Sequence, residues 1–204
     1  MIRAATLAAL AAVLLAAPAG AQVQTRTQTR TRTQTFQGAQ GVAGRSAVSD
    51  ELFAAAAASG GLAELNLSQI GMQRATDPEL KRFSQQMIED HTKMNQELLN
   101  LLAQKRIAVP QTIDARAQFC ADSLAGLSGE EFDKCYAKAQ LVTHMDAVAT
   151  FEAEAKRGQD PDIKALAAKA LPRIKLHLKE IKPIAMRYEK ETHEESASSE
   201  RQGR

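Results

Sequence analysis

From Ser49 onward, apolar residues recur every three to four positions, the spacing of one buried face on an α-helix. Phe53, Ala57, Gly60, Glu64, Leu67 and Gly71 fall on one such stripe, which predicts a first helix with Ser49 or Asp50 as N-cap and an end near Arg74. Asp77-Pro78 then sets a capping residue before a first-turn proline. It opens a second helix to about Arg106, with Leu80, Phe83, Met87, His91, Met94, Leu98 and Leu101 facing inward, and Val109-Pro110 ends it. Ser128-Gly129-Glu130-Glu131 reads as a capping box for a third long helix, which carries Phe132, Ala137, Leu141, His144, Val148, Phe151 and Ala155 and closes at Gly158. Asp160-Pro161 opens a fourth, with Ile163, Leu166, Ala170, Ile174, His177, Ile181 and Tyr188 on its inner face. Pro172 and Pro183 lie inside that helix and predict kinks.

The two Asp-Pro turns are tight, so each flanking pair of helices forms an antiparallel hairpin, whereas the stretch from Gln111 to Ser128 is long and holds a short helix over Asp114 to Leu124. Two hairpins with one long crossover predict an all-α, ferritin-like four-helix bundle over residues 50–188. Residues 189–204 are polar and read as a disordered tail.

Ahead of the bundle the pattern changes twice. Arg3, the apolar run Ala4 to Ala17, the breaker Pro18 and the small residues Ala19-Gly20-Ala21 have the three parts of a signal peptide, residues 1–21. The run is shorter than the roughly 20 residues of a permanent membrane span, and no cysteine follows it to take a lipid anchor. The chain is therefore expected in the periplasm and not transmembrane after signal cleavage, with peripheral outer-membrane association open to it. Residues 22–49 are a Thr/Gln/Arg-rich linker with four arginines and no acid; it reads as a disordered spacer, or as a basic tether to an anionic envelope component. From Asp50 onward acidic residues outnumber basic ones, although the whole chain carries a net charge of +2. With no Trp, two Tyr, six Phe and no compact basic face, nucleic-acid binding is a poor reading.

Each predicted long helix places an ionisable group on its apolar stripe: Glu64, His91, His144 and His177. Glu64 stands twelve residues before Thr76 in the first turn and His91 fifteen after it; His144 stands fifteen before Gln159 in the second turn and His177 eighteen after it. At about 1.5 Å rise per residue, each pair lies within roughly one helical turn of a common level. Three imidazoles and a carboxylate in one core layer suit a single transition-metal ion such as Zn, Cu or Fe, with Asp90 as a partner that orients a histidine. The bland alternative is a buried Glu–His layer that fixes helix register and binds no metal. Met87, Met94 and Met145 near these histidines would suit copper, but methionine is commonly a core filler. Ile88 and Ile174 stand where di-iron enzymes of this fold carry the glutamate of Glu-x-x-His, so di-iron chemistry is not expected. No catalytic residue is assigned, because no nucleophile–base pair, phosphate loop or paired carboxylates are present. Cys120 and Cys135, the two cysteines, are expected to form a disulfide in an oxidising compartment.

Gly60-Gly61-Leu62-Ala63-Glu64, the run Met87-Ile88-Glu89-Asp90-His91-Thr92-Lys93, Ser128-Gly129 with Phe132-Asp133, and Leu176 beside His177 together resemble an exported bacterial family. It is known as domain of unknown function 4142, also called "predicted outer membrane protein". The resemblance spans about Asp50 to Tyr188, and its most specific element is Glu-Asp-His-Thr-Lys. It implies export and a ferritin-like bundle, and no established activity. The sequence thus favours a non-enzymatic exported bundle that binds an envelope or stress-associated partner; the alternative is a periplasmic metal-binding protein built on the Glu/His layer.

Overall fold

The structure, a computed structural model, describes residues 48–202. The expected signal peptide and all of the linker before Val48 lie outside the described residues, as does the side chain of His193. Among the described residues the chain is all-helical: α1 (Asp50–Arg74), α2 (Pro78–Gln104), α3 (Ala115–Ala125), α4 (Gly129–Arg157) and α5 (Pro161–Gln202). No described helix is long and apolar enough to cross a membrane.

The helices begin where side chains can satisfy their free amide groups. Ser49 Oγ accepts from Leu52 N, Asp77 Oδ1 from Glu79 N, Asp114 Oδ1 from Ala117 N, and Asp160 Oδ1 from both Asp162 N and Ile163 N. The capping box expected at Ser128 is not formed, and its hydroxyl makes no cap hydrogen bond. Gly129, at φ +59°, takes the left-handed conformation between Ser128 and the helix, which breaks the geometry a box requires. At the other end of the chain, α5 continues to Gln202 and does not stop at Tyr188. Pro172 and Pro183 lie on the exposed side of α5, and the helix continues through both.

α1 packs against α2, and α4 against α5; the hairpins then meet through α1 with α4 and α2 with α5, and α3 lies against α1 and α4. Two apolar clusters form the core. One surrounds the α1–α2 turn and contains Leu67, Leu80, Phe83, Met87, Phe132, Tyr136 and Ile181. The other lies toward the α4–α5 turn and contains Phe53, Ala54, Leu98, Leu102, Ile163 and Ala167. Along every long helix a buried polar residue (Glu64, His91, His144 or His177) sits between its contributions to the two clusters.

Each hairpin turn is held by a carboxylate from the opposite hairpin. Buried Asp133 of α4 accepts from Thr76 N (3.0 Å), Thr76 Oγ1 and Asp77 N (2.9 Å) in the α1–α2 turn. Asp50 of α1 reciprocates, accepting from Gln159 N and Asp160 N at 2.9 Å each in the α4–α5 turn. Charge-assisted bonds to backbone amides are stronger than neutral ones, and losing one buried acceptor orphans several donors at once. Asp133→Ala is expected to lower stability by about 3 kcal/mol, seen as a reduced urea midpoint at unchanged slope.

The expected disulfide is absent: Cys120 and Cys135 are free thiols, the first half-buried and the second exposed. Burial, the Glu64 charge and the neighbouring Cys135 push the Cys120 thiol above its ordinary range, which disfavours the thiolate that forms a disulfide. Thiol titration of the native, unreduced protein is expected to count two thiols per chain, with Cys135→Ser removing the faster-reacting one.

Candidate metal centre

The three histidines predicted on separate stripes meet in the core. One ring nitrogen from each of His91, His144 and His177 lies within 4.8 Å of the other two. The ring centroids are 5.9 Å apart for His91 and His144, and 5.5 Å for each of the pairs that include His177. All three side chains are buried, and Phe83 closes the layer edge-on against His144.

Hydrogen bonds at the rims of the rings determine where the lone pairs point. A backbone carbonyl can only accept, so His144 Nδ1–H donates to Gln140 O (2.8 Å) one helical turn earlier, and its Nε2 carries the lone pair. A carboxylate likewise accepts, so His177 Nε2–H donates to Asp90 Oδ2 (2.9 Å), and its Nδ1 carries the lone pair. These two nitrogens, together with Nε2 of His91, are buried and have no hydrogen-bond partner. Leaving a polar atom buried and unpaired costs on the order of 1–3 kcal/mol, so one on each of three neighbouring rings is an expensive arrangement unless something else binds them.

The protonation equilibria agree with the lone-pair count. Burial is the main reason His91 is lowered to about 4; Glu64 opposes it, while His144 and His177 reinforce it. Burial also lowers His177 to about 4, against the pull of Asp90. Both imidazoles are therefore neutral at physiological pH and free to donate electron pairs.

The fourth predicted residue takes a different place. Glu64 is buried in the same layer, but its Oε1 lies 3.9 Å from His144 Nδ1, the nitrogen already bonded to Gln140, and it is not one of the three converging groups. Its Oε2 has no partner. Asp90, adjacent to His91 in sequence, bonds His177 across the core, and Arg173 Nη1 approaches the same oxygen at 3.7 Å. Of the methionines, Met87 is fully buried, Met94 half-buried and Met145 exposed. Asn95 was not singled out by the sequence, yet it packs against Gly61 so closely that a Cβ there would lie 2.0 Å from its Oδ1. The glycine is the signal that marks this contact.

Among the described residues, the fold and site define an all-helical protein whose buried polar layer gathers three histidines, two of them fixed in tautomer by neighbouring acceptors. The chain belongs to the family described as Domain of unknown function (DUF4142), which matches residues 34–184. Comparison with curated proteins gives no match. Several solved structures share the fold. A DUF305 fragment from Deinococcus radiodurans is 12% identical, covers 70% of this chain and 99% of its own, and has a TM-score of 0.60. CopM in the Cu(II)-bound form is 19% identical, covers 68% and 97%, and has a TM-score of 0.57. A DUF305 protein from Streptomyces coelicolor is 15% identical, covers 68% and 91%, and also has a TM-score of 0.57.

Two lowered histidines make stability depend on pH. Below about 6.5 the unfolded chain protonates both while the folded chain does not until about 4, so stability falls as pH drops through that window. Glu154 opposes this, because burial and the Asp50 carboxylate push it up to about 7, a group that favours the folded state at lower pH. Two histidines outweigh one glutamate. Thermal denaturation is expected to give a melting temperature that rises from pH 4.5 to 6.5, and Glu154→Gln is expected to steepen that rise.

Proposed function

We propose that this protein binds one first-row transition-metal ion, copper or zinc, through His91, His144 and His177, and that it does so outside the cytoplasm. The observation that carries this reading is twofold: His91, His144 and His177 each bring a ring nitrogen within 4.8 Å of the other two, and each of these rings has a buried nitrogen with no hydrogen-bond partner. Neutral imidazole is a good donor for copper and zinc, and the chemistry of the set matches a three-histidine site. Glu64 and Asp90 supply negative charge beside the ion, and Asp90 also holds the His177 ring in its donor tautomer. A register-fixing role alone does not account for the layer, because such a role would be served by paired groups, and these nitrogens are unpaired.

Two further observations support the reading. Two antiparallel hairpins with a long crossover are consistent with a ferritin-like bundle, a scaffold that builds metal sites from facing helices. A protein of similar fold, CopM, is known in a Cu(II)-bound form. Export rests on the signal-like segment Arg3 to Ala21.

Metal-stripped protein titrated with Cu(II) or Zn(II) by equilibrium dialysis is expected to take up one ion per chain. His144→Ala and His177→Ala should each weaken binding at least 100-fold, and Asp90→Asn about 10- to 100-fold, the range seen when an orienting partner is lost. Uptake well below one equivalent, or uptake unchanged in a His144→Ala/His177→Ala double variant that retains its helical circular dichroism, would remove the proposal.

A further inference from the structure

The three histidines differ in what they border. A cleft of about 830 Å³ enters the helical body and is walled by residues of all five helices. His91 and Glu64 lie on its wall, whereas His144 and His177 do not. The polar layer therefore meets the cleft on one side and is sealed by protein on the other. Much of the remaining wall is alanine and glycine, including Ala57, Gly60, Ala139 and Ala147. Gly60 lines the cleft at an exposed position where an added Cβ would meet nothing within 4 Å, so the cleft is open there. A cavity of this size with mostly apolar walls and a few convergent polar groups is what a small organic ligand requires.

Resting on the metal reading above, we propose that the bound ion keeps one coordination position turned toward the cleft, where it takes a small organic monoanion with an apolar body. Three protein donors and an open fourth position distinguish a reactive or ligand-accepting centre from a closed structural one. Glu64 is not among the groups that converge within 4.8 Å, and its Oε1 faces the His144 nitrogen that carries no lone pair. The charge of the ligand follows from its surroundings. Three neutral imidazoles leave a divalent ion's charge intact; Glu64 and Asp90 offset it, and Arg173, 3.7 Å from Asp90, restores one positive charge. One negative charge then balances the site. The apolar body follows from the walls, where small side chains leave room for a ring or short alkyl group. Of the other charged residues on the wall, Arg116 pairs with Asp146, Lys169 with Glu97 and Lys138 with Glu189, while Lys93 and Asp114 carry opposite charges that cancel in the count.

The experiment uses Cu(II)-loaded protein, azide as a small monoanionic probe, and acetate and benzoate as competitors. Azide is expected to give a saturable ligand-to-copper absorption band. Benzoate should displace it at a concentration at least tenfold below that needed with acetate, because only benzoate buries a ring. Gly60→Phe, which fills the cleft from a position with free space, should retain one copper per chain and the azide band while losing the advantage of benzoate. Full copper loading with no azide band would overturn this inference and leave the metal reading intact. So would equal potency of acetate and benzoate, or a benzoate advantage unchanged in Gly60→Phe. Failure to load copper or zinc at all would instead overturn the metal reading, and this inference with it.

Discussion

The structure turns on a group of polar atoms placed where water cannot reach them. Three imidazoles and a carboxylate sit between two apolar clusters, and three of the ring nitrogens have nothing to bond. Desolvation keeps His91 and His177 neutral, which removes the charge repulsion between these two neighbouring rings. The surrounding bonds then fix which nitrogen carries the lone pair in two of the rings. Gln140 does this for His144 through its backbone, and Asp90 does it for His177 from a different helix. Two of the three rings are thus oriented by second partners, the preorganisation that the proposed metal site would need in order to bind without rearranging.

Much of this scaffold was legible in the sequence because its signals are local. Ser49, Asp77, Asp114 and Asp160 each cap a helix within three residues of themselves, so the starts of α1, α2, α3 and α5 could be read directly. Counting residues from the two turns put the four polar groups near one level, and three of them converge. Counting could not tell which way Glu64 would face, since rise per residue fixes height on a helix but leaves side-chain direction to packing.

What the sequence hid depends on contacts between distant residues. Asp50 looks like an ordinary first-turn acid and Asp133 like one just beyond a first turn, and their roles appear only when Gln159 and Thr76 arrive from more than fifty residues away. Asp90 stands next to His91 yet serves His177, a choice of ring that adjacency alone does not fix. The cysteine pair misled for a related reason: compartment and number favour a bridge, while burial and the charge of Glu64 disfavour the thiolate at Cys120. At Ser128 the residue types of a capping box are all present, and a single left-handed glycine undoes it.

The reciprocal carboxylates have a topological corollary. Asp133 fastens the turn of the first hairpin, and Asp50 fastens the turn of the second. Neither lock asks whether the two hairpins belong to one molecule. The only covalent link between them is the stretch from Lys105 to Ser128, whose short helix α3 packs on the surface of both. Were that stretch to open outward, two chains exchanging hairpins would satisfy every one of these bonds as fully as one chain folded on itself, so the same contacts that stabilise the monomer also set the terms of an intertwined dimer.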